Sequence, residues 1–411
     1  MKEYALDLAV EPPQEYQSYF VPVSKEFLED AYKSDDFVVF VGPQHGGSGH
    51  MRLIVRVKGD FIVEVIPDPG YVHRSMEKLA ETKLYVQNIP LFERPSIIDF
   101  GNYNLGYVRA IEDALGIEVP ERAKYIRTIL AELGRIGTHL YDAGILSVFI
   151  GHTTGFMWPF AMREFIVEIF TRITGTRITG SFIVPGGVRR DVDGKTLDVI
   201  KRMTYALEHR IKKFERVFIR NPTTIARLRE VGVLNREDAV KYGLVGPFIR
   251  ASGVEYDVRK IDPYEAYEEI DWDMVVGEDG DGYTRLLVRA EEIAQSIRMI
   301  RQLVDNIPEG DVLSDDIVAF NKKDIRGSFF EAYSNIVLPE GEYTTLTESA
   351  RGTLLFSIVS DGESTTPYRV RVVTPSWMYL KGFMEACKGH RLADLQAIYG
   401  SFGYFPPEAD R

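Results

Sequence analysis

The sequence predicts an α+β fold in which a central helical bundle lies between two sections that contain strands. Apolar runs of strand length occupy the first 70 residues, long segments with helical periodicity follow, and strand-length runs return in the last quarter of the chain. We therefore divide the chain into an N-terminal α/β domain (1–70), a helical bundle core (71–310) and a C-terminal β-containing section (311–411).

The N-terminal domain is predicted to contain one short helix and three strands. Lys25–Tyr32 has helical character, and Ser24 before it is a suitable N-cap. The apolar runs Phe37–Val41, Arg52–Val57 and Asp60–Ile66 have the length and composition of strands. The last run is apolar almost throughout, which indicates a strand covered by other elements.

The bundle core is predicted from apolar residues that recur at helical spacing. Pro120 is suited to a helix start, and Glu121–Tyr141 after it follows the i, i+3, i+4, i+7 pattern of a helix with one buried face. The same period occurs in three other segments, and several long helices in succession indicate a bundle. Those segments are Ala161–Thr174, Leu197–Phe218 and Tyr283–Val304.

The C-terminal section is predicted to open with a polar loop, Glu309–Phe329, and to continue as strands followed by two short helices. The predicted strands are Thr344–Thr347, Leu354–Val359 and Tyr368–Val373, and the predicted helices are Ser376–Cys387 and Leu392–Tyr399.

Charge and cysteine content exclude several classes of protein. The net charge of −12 over 411 residues argues against a nucleic-acid-binding protein, because phosphate recognition needs a basic surface. With Cys387 as the single cysteine, the chain forms no internal disulfide and holds no cysteine-ligated cluster by itself. The longest apolar candidate, Ile145–Ala161, is interrupted by polar residues, and Met1–Val10 lacks a signal pattern. Work at a membrane would therefore require partners that span it.

The loop Val41–Met51, between two predicted strands, contains two of the seven histidines, His45 and His50. Its Gly and Pro residues permit tight backbone turns, so the loop suits either the wall of a cavity or an exposed hairpin turn. The histidines lack a third ligand and the spacing of a metal pair, but they can donate protons to a reduced ligand near neutral pH.

Two other groups of residues suggest chemistry. Helical spacing would place His73, Glu77 and Glu81 on one helix face, and Arg74 beside them could stabilise a reduced redox centre on a partner. Arg351, just ahead of a predicted strand, either points into a cavity or pairs with Glu348 in the interior. The Gly-rich loop does not continue as Gly-Lys-Ser/Thr, so it is not a Walker phosphate-binding loop, and the sequence has no dinucleotide-binding fingerprint.

Motifs spread over nearly the whole chain, in order, resemble one family. The motifs include Gly42-Pro43-Gln44-His45, Gly70-Tyr71-Val72-His73-Arg74, Tyr85-Val86-Gln87-Asn88, Glu132-Leu133, Arg250-Ala251-Ser252-Gly253, Glu348-Ser349-Ala350-Arg351-Gly352 and Pro367-Tyr368-Arg369. In these motifs the sequence is similar to the large catalytic subunit of respiratory complex I, which shares its fold with the large subunit of membrane-bound nickel–iron hydrogenases.

The resemblance implies a hydrogenase-like fold and a place in a membrane-bound complex. A small partner subunit would carry a 4Fe–4S cluster near Arg74, other peripheral and membrane subunits would move ions, and ferredoxin would supply electrons. The chain would lie on the cytoplasmic face and bind no cofactor of its own. The two hydrogenase Cys-x-x-Cys pairs align with Ser96 and Asp99 and with Phe405 and Glu408, so thiolate ligation of nickel and iron is excluded.

By resemblance, the residues at the electron acceptor are His50, Tyr85 and His45. The loop differs from the usual complex I form, since it has one more residue between its histidines and Gly46 where that form has proline. Phe149 stands where complex I has an aspartate that pairs with the loop histidine, and Thr179 or Gly180 where it has a histidine near the cluster.

An acceptor site changed in these ways resembles that of an archaeal relative. That relative takes electrons from ferredoxin and reduces sulfane sulfur or polysulfide while pumping ions. A quinone-reducing complex I subunit is the alternative interpretation. A third is a scaffold subunit without redox chemistry, which only couples other subunits to the ion pump.

Overall fold

The computed structural model describes residues 25–44, 49–319 and 333–410. These residues form an α+β fold, as predicted, with a helical centre between antiparallel sheets. The strands are β1 (Phe37–Val41), β2 (Arg52–Lys58), β3 (Phe61–Asp68), β4 (Ile183–Val184), β5 (Gly187–Val188), β6 (Gly341–Ser349), β7 (Gly352–Ser360) and β8 (Arg369–Val373).

The helices are short around the first sheet and long in the centre. In chain order they are α1 (Lys25–Lys33), α2 (Met76–Ala80), α3 (Ile89–Phe92), α4 (Phe100–Leu115), α5 (Glu121–Phe149), α6 (Thr153–Thr174), α7 (Gly194–Phe214), α8 (Pro222–Leu228), α9 (Arg236–Lys241), α10 (Gly246–Ala251), α11 (Val258–Ile261), α12 (Gly282–Asn306), α13 (Asp315–Ala319), α14 (Pro375–Cys387), α15 (Leu395–Phe402) and α16 (Pro406–Asp410). In the part of the chain described, none of them is long and apolar enough to cross a membrane.

The first sheet has the order β1-β2-β3 and is antiparallel throughout. Its buried residues, such as Leu53 and Val65, share one hydrophobic cluster with Phe383 of α14 and Phe402 of α15. The sheet therefore packs against helices from the far end of the chain. The boundaries predicted at residues 70 and 310 stay predictions.

The centre of the molecule is built on α5, which packs against α6, α12 and α15. Apolar residues at the predicted spacing, among them Ile129, Leu133 and Ile136, are buried along it. α5 continues past Tyr141 to Phe149 because apolar residues persist there, and α6 begins at Thr153.

Two elements differ from the sequence-based expectation for physical reasons. α4 was not predicted, because it is buried on nearly every side and its buried residues include the polar Asn102, Asn104 and Glu112, which weakens the separation of polar and apolar faces. Conversely, α2 begins only at Met76, so His73 lies in the loop before it and does not share a helix face with Glu77. The proposed N-cap Ser24 lies outside the described residues.

The second three-stranded sheet has the order β6-β7-β8, and α4 packs on it. β6 and β7 meet in a tight turn at Ala350 and Arg351, with Ser349 paired to Gly352. The approach is close, because a Cβ atom on Gly246 of α10 would lie 2.3 Å from the Arg351 carbonyl oxygen. Gly246 also has φ +66°, which favours glycine. This contact fixes where the Arg351 side chain begins.

Candidate functional site

Arg351 is the centre of a buried polar cluster at the junction of four chain segments. Its Nη1 donates to Ser96 Oγ at 3.2 Å and to Glu408 Oε1 at 3.0 Å. Its Nη2 donates to Asp142 Oδ1 at 2.7 Å, and its Nε to the Gly403 carbonyl oxygen at 2.7 Å. All four side chains are almost completely buried. We call Arg351, Ser96, Asp142 and Glu408 the Arg351 cluster.

The cluster keeps its cation charged in the interior. Burial alone lowers the pKa of Arg351, but the carboxylates of Asp142 and Glu408 more than reverse this and hold the pKa above its ordinary value. Two carboxylates facing one guanidinium, with the Ser96 hydroxyl and the Gly403 carbonyl oxygen at the remaining positions, form a compensated buried charge.

Asp99 lies beside this cluster but is not paired with Arg351. Its Oδ2 accepts from the Ala350 backbone N–H at 2.8 Å and its Oδ1 from Asn102 Nδ2 at 2.7 Å. Burial raises the pKa of Asp99 to about 7, although these hydrogen bonds and Arg135 act in the opposite direction. Asp99 is therefore ready to hold a proton near neutral pH.

Three of the four positions that align with hydrogenase cysteines contact the Arg351 guanidinium, and the fourth, Asp99, binds the backbone of the neighbouring Ala350. Ser96 and Glu408 accept hydrogen bonds from the guanidinium, and the Phe405 ring lies 4.9 Å from the guanidinium carbon. None of the four residues has a thiol. Within the described ranges, no group of three His, Cys, Asp or Glu residues is arranged to hold a metal ion. This donor set does not fit a nickel–iron centre but fits the cation that lies within it.

The structure corrects both interpretations of Arg351. It neither points into an open cavity nor pairs with Glu348. Glu348 instead accepts from Arg250 Nη1 at 2.8 Å, in a separate buried network that includes Glu292. Sequence spacing missed the side-chain partners of Arg351 because Glu408, Asp142 and Ser96 lie 57, 209 and 255 residues away in the chain.

His50 lies at the surface, where the loop Val41–Met51 returns to the sheet. Next to it, a Cβ atom on Gly49 would lie 3.4 Å from Pro406 Cγ and 3.8 Å from the Tyr399 hydroxyl. The Tyr399 ring centroid is 5.9 Å from that of Phe149. The loop end therefore rests on aromatic residues, and Phe149, at the position of the expected carboxylate, belongs to this aromatic wall. His45 lies outside the described residues.

Tyr85 occupies a different environment from His50. Its side chain is completely buried, and its carbonyl oxygen accepts from the Tyr107 hydroxyl at 2.9 Å. Burial raises the pKa of Tyr85, with a smaller opposing effect from Ser360 on the sheet. Its hydroxyl has no hydrogen-bond partner among the residues described, so it does not hydrogen-bond to His50. The assignment of these residues to the acceptor stays a prediction.

Arg74 is exposed in the short loop between β3 and α2. The two other cations near it are neutralised, since Lys78 pairs with Glu81 at 2.5 Å and Arg369 with Glu77 at 3.5 Å. Arg74 forms no ion pair within residues 25–44, 49–319 and 333–410. It is thus the cation of this loop that is available to a partner.

Asp410 is the residue near this loop that sequence reasoning missed. Its carboxylate accepts from the backbone N–H groups of Gly70 and Val72, at 2.7 and 2.8 Å. No local pattern could have found it, because the contacts join positions about 340 residues apart.

Comparison with known proteins places the chain in a family. The family described as "Respiratory-chain NADH dehydrogenase, 49 Kd subunit" matches residues 150–411. An NADH-quinone oxidoreductase subunit of Thermodesulfovibrio yellowstonii is 40% identical over 389 residues, which cover 91% of this chain and 97% of the relative. The corresponding subunit of Desulforamulus reducens is 38% identical, covering 92% of this chain and 99% of the relative.

A solved structure is similar over almost the same extent. A chain of the membrane-bound sulfane sulfur reductase, an archaeal respiratory membrane complex, superimposes with a TM-score of 0.85 at 34% sequence identity. The match covers 95% of this chain and 100% of that one. The predicted nickel–iron hydrogenase large-subunit-like fold is thereby confirmed. The chain belongs to the 49 kDa subunit family of respiratory-chain NADH dehydrogenase, and it is a subunit of an oxidoreductase complex.

Proposed function

We propose that this subunit passes electrons from a 4Fe–4S cluster of a small partner subunit, supplied by ferredoxin, to sulfane sulfur or polysulfide. The reaction takes place at the interface of the two subunits, on the cytoplasmic face of the membrane. Membrane subunits of the same complex use the released free energy to translocate ions. His50, and His45 in the same loop, serve as proton donors at the acceptor, and Arg74 lies close to the partner's cluster.

The observation that carries the proposal is the aromatic wall beside His50. Phe149 packs against Tyr399, and Gly49 of the His50 loop rests on Tyr399 and Pro406. Within the described residues no ion pair involves His50, and Phe149 stands where complex I, by resemblance, has the aspartate that pairs with the loop histidine. The wall is apolar and suits a polarizable sulfur chain.

The chemistry of the acceptor agrees with a site that has few proton donors. Two electrons enter one S–S bond of the polysulfide and the bond breaks. Each new terminal sulfur keeps an electron pair and a negative charge, and one of them takes a proton from His50. Reduction of a quinone needs two protons delivered at two oxygens, and the Tyr85 hydroxyl is buried away from solvent.

A resemblance in structure also supports the proposal, because the superimposed chain comes from a sulfane sulfur reductase. The specific observation that favours a second candidate, quinone reduction, is the similarity to NADH-quinone oxidoreductase subunits at up to 40% identity. The unpartnered hydroxyl of Tyr85 also suits a quinone oxygen. The two candidates share the partner cluster and differ in the acceptor.

An acceptor assay on the purified complex separates them. Electrons are supplied by reduced ferredoxin, and either polysulfide or a soluble quinone analogue is offered. We expect turnover with polysulfide, and quinone turnover without sulfur turnover would refute the proposal in favour of the second candidate.

A substitution identifies the proton donor. His50→Ala is expected to lower polysulfide turnover by about 10²- to 10⁴-fold, the usual contribution of proton transfer. His209→Ala, at an exposed position on α7, is the matched control and should leave turnover unchanged. If His50→Ala and Tyr85→Phe both keep full activity, the subunit is a scaffold without a catalytic role.

A further inference from the structure

The short helix α16 contacts the buried Arg351 cluster on one side and a surface loop on the other. On its inner side, Glu408 accepts from Arg351 Nη1 at 3.0 Å and from the Ser376 hydroxyl. On its outer side, two positions further along, Asp410 contacts the loop between β3 and α2. The inner contacts fix the position of the helix, and with it the position of Asp410.

Asp410 holds the loop at three points. Gly70 N–H donates to Oδ1 at 2.7 Å and Val72 N–H to Oδ2 at 2.8 Å. The Asp410 carbonyl oxygen lies 2.5 Å from Nδ1 of His73. Because a carbonyl oxygen only accepts, Nδ1 carries the proton and donates. Hydrogen bonds to a carboxylate are roughly twice as strong as neutral ones, so this is the main restraint on the backbone at residues 70 and 72.

The restraint passes along the loop to Arg74. His73 N–H donates to the Gly70 carbonyl oxygen at 3.1 Å, which closes a turn. The Ser75 hydroxyl lies 3.3 Å from Nε2 of His73, and Ser75 has φ 51°, an uncommon conformation for a residue with a side chain. Arg74 lies between these two fixed residues, so its direction depends on the turn.

The loop also forms one wall of an open cleft of about 530 Å³, whose other walls include Trp377 of α14 and Arg369 of β8. Trp377 is 45% exposed, which provides an apolar surface on the same side of the molecule as the loop. The residues on either side of Arg74, His73 and Ser75, line this cleft.

We propose that Asp410 is a positioning residue: its carboxylate fixes the loop at residues 70–75 and thereby directs Arg74 toward the redox centre of the partner. The role of Arg74 toward the redox centre rests on the proposed function. The hold of Asp410 on the loop rests on the three contacts alone, so the two parts are tested separately.

The first measurement is hydrogen–deuterium exchange in the intact complex. Asp410→Asn keeps the size of the side chain but replaces one accepting oxygen with an NH₂ group. We expect exchange of the Gly70 and Val72 amides to rise about 10- to 100-fold, as for the loss of a charge-assisted hydrogen bond. Asp198→Asn, at an exposed position on α7, is the matched control and should leave it unchanged. Unchanged exchange in Asp410→Asn refutes the proposal.

The second measurement is the midpoint potential of the partner's cluster, followed by its electron paramagnetic resonance signal. Arg74→Ala should lower the potential, because a positive charge nearby favours the reduced form. Asp410→Asn should also lower it, against the small rise that the loss of a negative charge causes by itself, and only that small rise should remain in the Arg74→Ala background, whereas an independent lowering would be additive. Additive shifts refute positioning through Arg74.

Faster exchange without any shift in potential has a separate meaning. In that case Asp410 fixes the loop, and the proposed location of Arg74 beside the cluster is wrong. Asp410→Glu is the second variant, since it keeps the carboxylate. It should restore part of the protection from exchange, and if it behaves like Asp410→Asn, the carboxylate is not the restraining group.

Discussion

Two arginines, Arg351 and Arg285, are both buried in this protein but are stabilised in different ways. Arg351 faces the carboxylates of Asp142 and Glu408. Arg285 of α12 forms no ion pair in the described structure. It donates to neutral oxygens, of Ser401 and of the Gly232 and Gly280 carbonyls, and its guanidinium carbon lies 4.7 Å from the Phe248 ring centroid.

The pKa values follow this difference. Burial lowers the pKa of Arg285 to about 9, and the nearby Arg289 adds to the effect. The pKa of Arg351 stays above its ordinary value, because its carboxylates outweigh burial. Arg285 joins separate chain segments by hydrogen bonds to neutral oxygens. The Arg351 cluster instead balances opposite charges, so its charged residues must be kept or removed together.

The largest effect is expected from breaking that balance. Arg351→Met leaves Glu408 buried without a cation and leaves Asp142 only the longer contact with Arg289, at 3.8 Å, which costs about 3–5 kcal/mol. The free energy of unfolding of the isolated subunit, measured in urea, would show it.

The control for this prediction removes all the charges together. The triple variant Arg351→Met, Asp142→Asn, Glu408→Gln should recover most of the lost stability, because both carboxylates lose their charge together with the Arg351 cation. If the triple variant is as unstable as the single one, packing rather than charge holds this region together.

A smaller loss is expected at Arg285. Arg285→Met leaves the Gly232 and Gly280 carbonyl oxygens without donors, which costs about 1–3 kcal/mol, but leaves no charge uncompensated. The same urea measurement compares it with Arg351→Met. A loss equal to that of Arg351→Met would show that the carboxylates are not what distinguishes the two sites.

Asp99 extends the contrast to pH, because it is a buried acid beside the cluster without a cation of its own. Its pKa is about 7 in the folded chain and 3.8 in a model peptide, so the folded state holds the proton more tightly. Stability therefore falls as pH rises from about 4 to 7. Asp99→Asn lacks this dependence, and its stability relative to the parent protein should rise by about 1.4 kcal/mol between pH 5 and pH 6.

The groups that face Asp99 act on its pKa in opposite directions. Arg135 and the N–H groups of Ala350 and Asn102 lower its pKa, and Glu408 raises it. A pH-independent difference between the two proteins would mean that Asp99 stays ionised when folded. Asp315→Asn, in the exposed part of α13, serves as the control.

The smallest effect is expected at Phe405, whose ring lies 4.9 Å from the Arg351 guanidinium carbon. Phe405→Leu removes this cation–π contact and should cost about 0.5–2 kcal/mol in the parent protein. In the Arg351→Met background the cost should fall, and a double-mutant cycle measures the difference. An unchanged cost would assign the effect to packing against Tyr141 alone.

Sequence patterns predicted the elements with a local signature and missed those without one. The strands β1 to β3 and the helix α5 follow from apolar periodicity that their own residues carry. α4 was missed because it is buried on nearly every side, polar residues included, and α2 was predicted too long because charged residues at helical spacing also occur in loops. For the site, the family motifs identified Ser96, Asp99 and Glu408 as residues that stand where hydrogenases have metal-binding cysteines.

What replaces the metal could not be predicted from the sequence. Arg351 lies in the turn between β6 and β7, and its partners come from the segment before α4 (Ser96), from α5 (Asp142) and from α16 (Glu408). Only the folded chain brings them together. The same is true of Asp410 and the loop that carries Arg74. Hydrogen bonds over such separations leave no periodic trace in the sequence.

The packing of the first sheet has a consequence for how the chain is made. β3 pairs along its edge with the segment after α14, where Ile62 N–H donates to the His390 carbonyl oxygen at 2.8 Å, and its buried face is covered by α14 and α15. A ribosome synthesises β1 to β3 first and these covering helices last. Throughout translation the sheet therefore exposes an apolar face, and a nascent chain that stops before residue 375 would leave that face to chaperones or to aggregation.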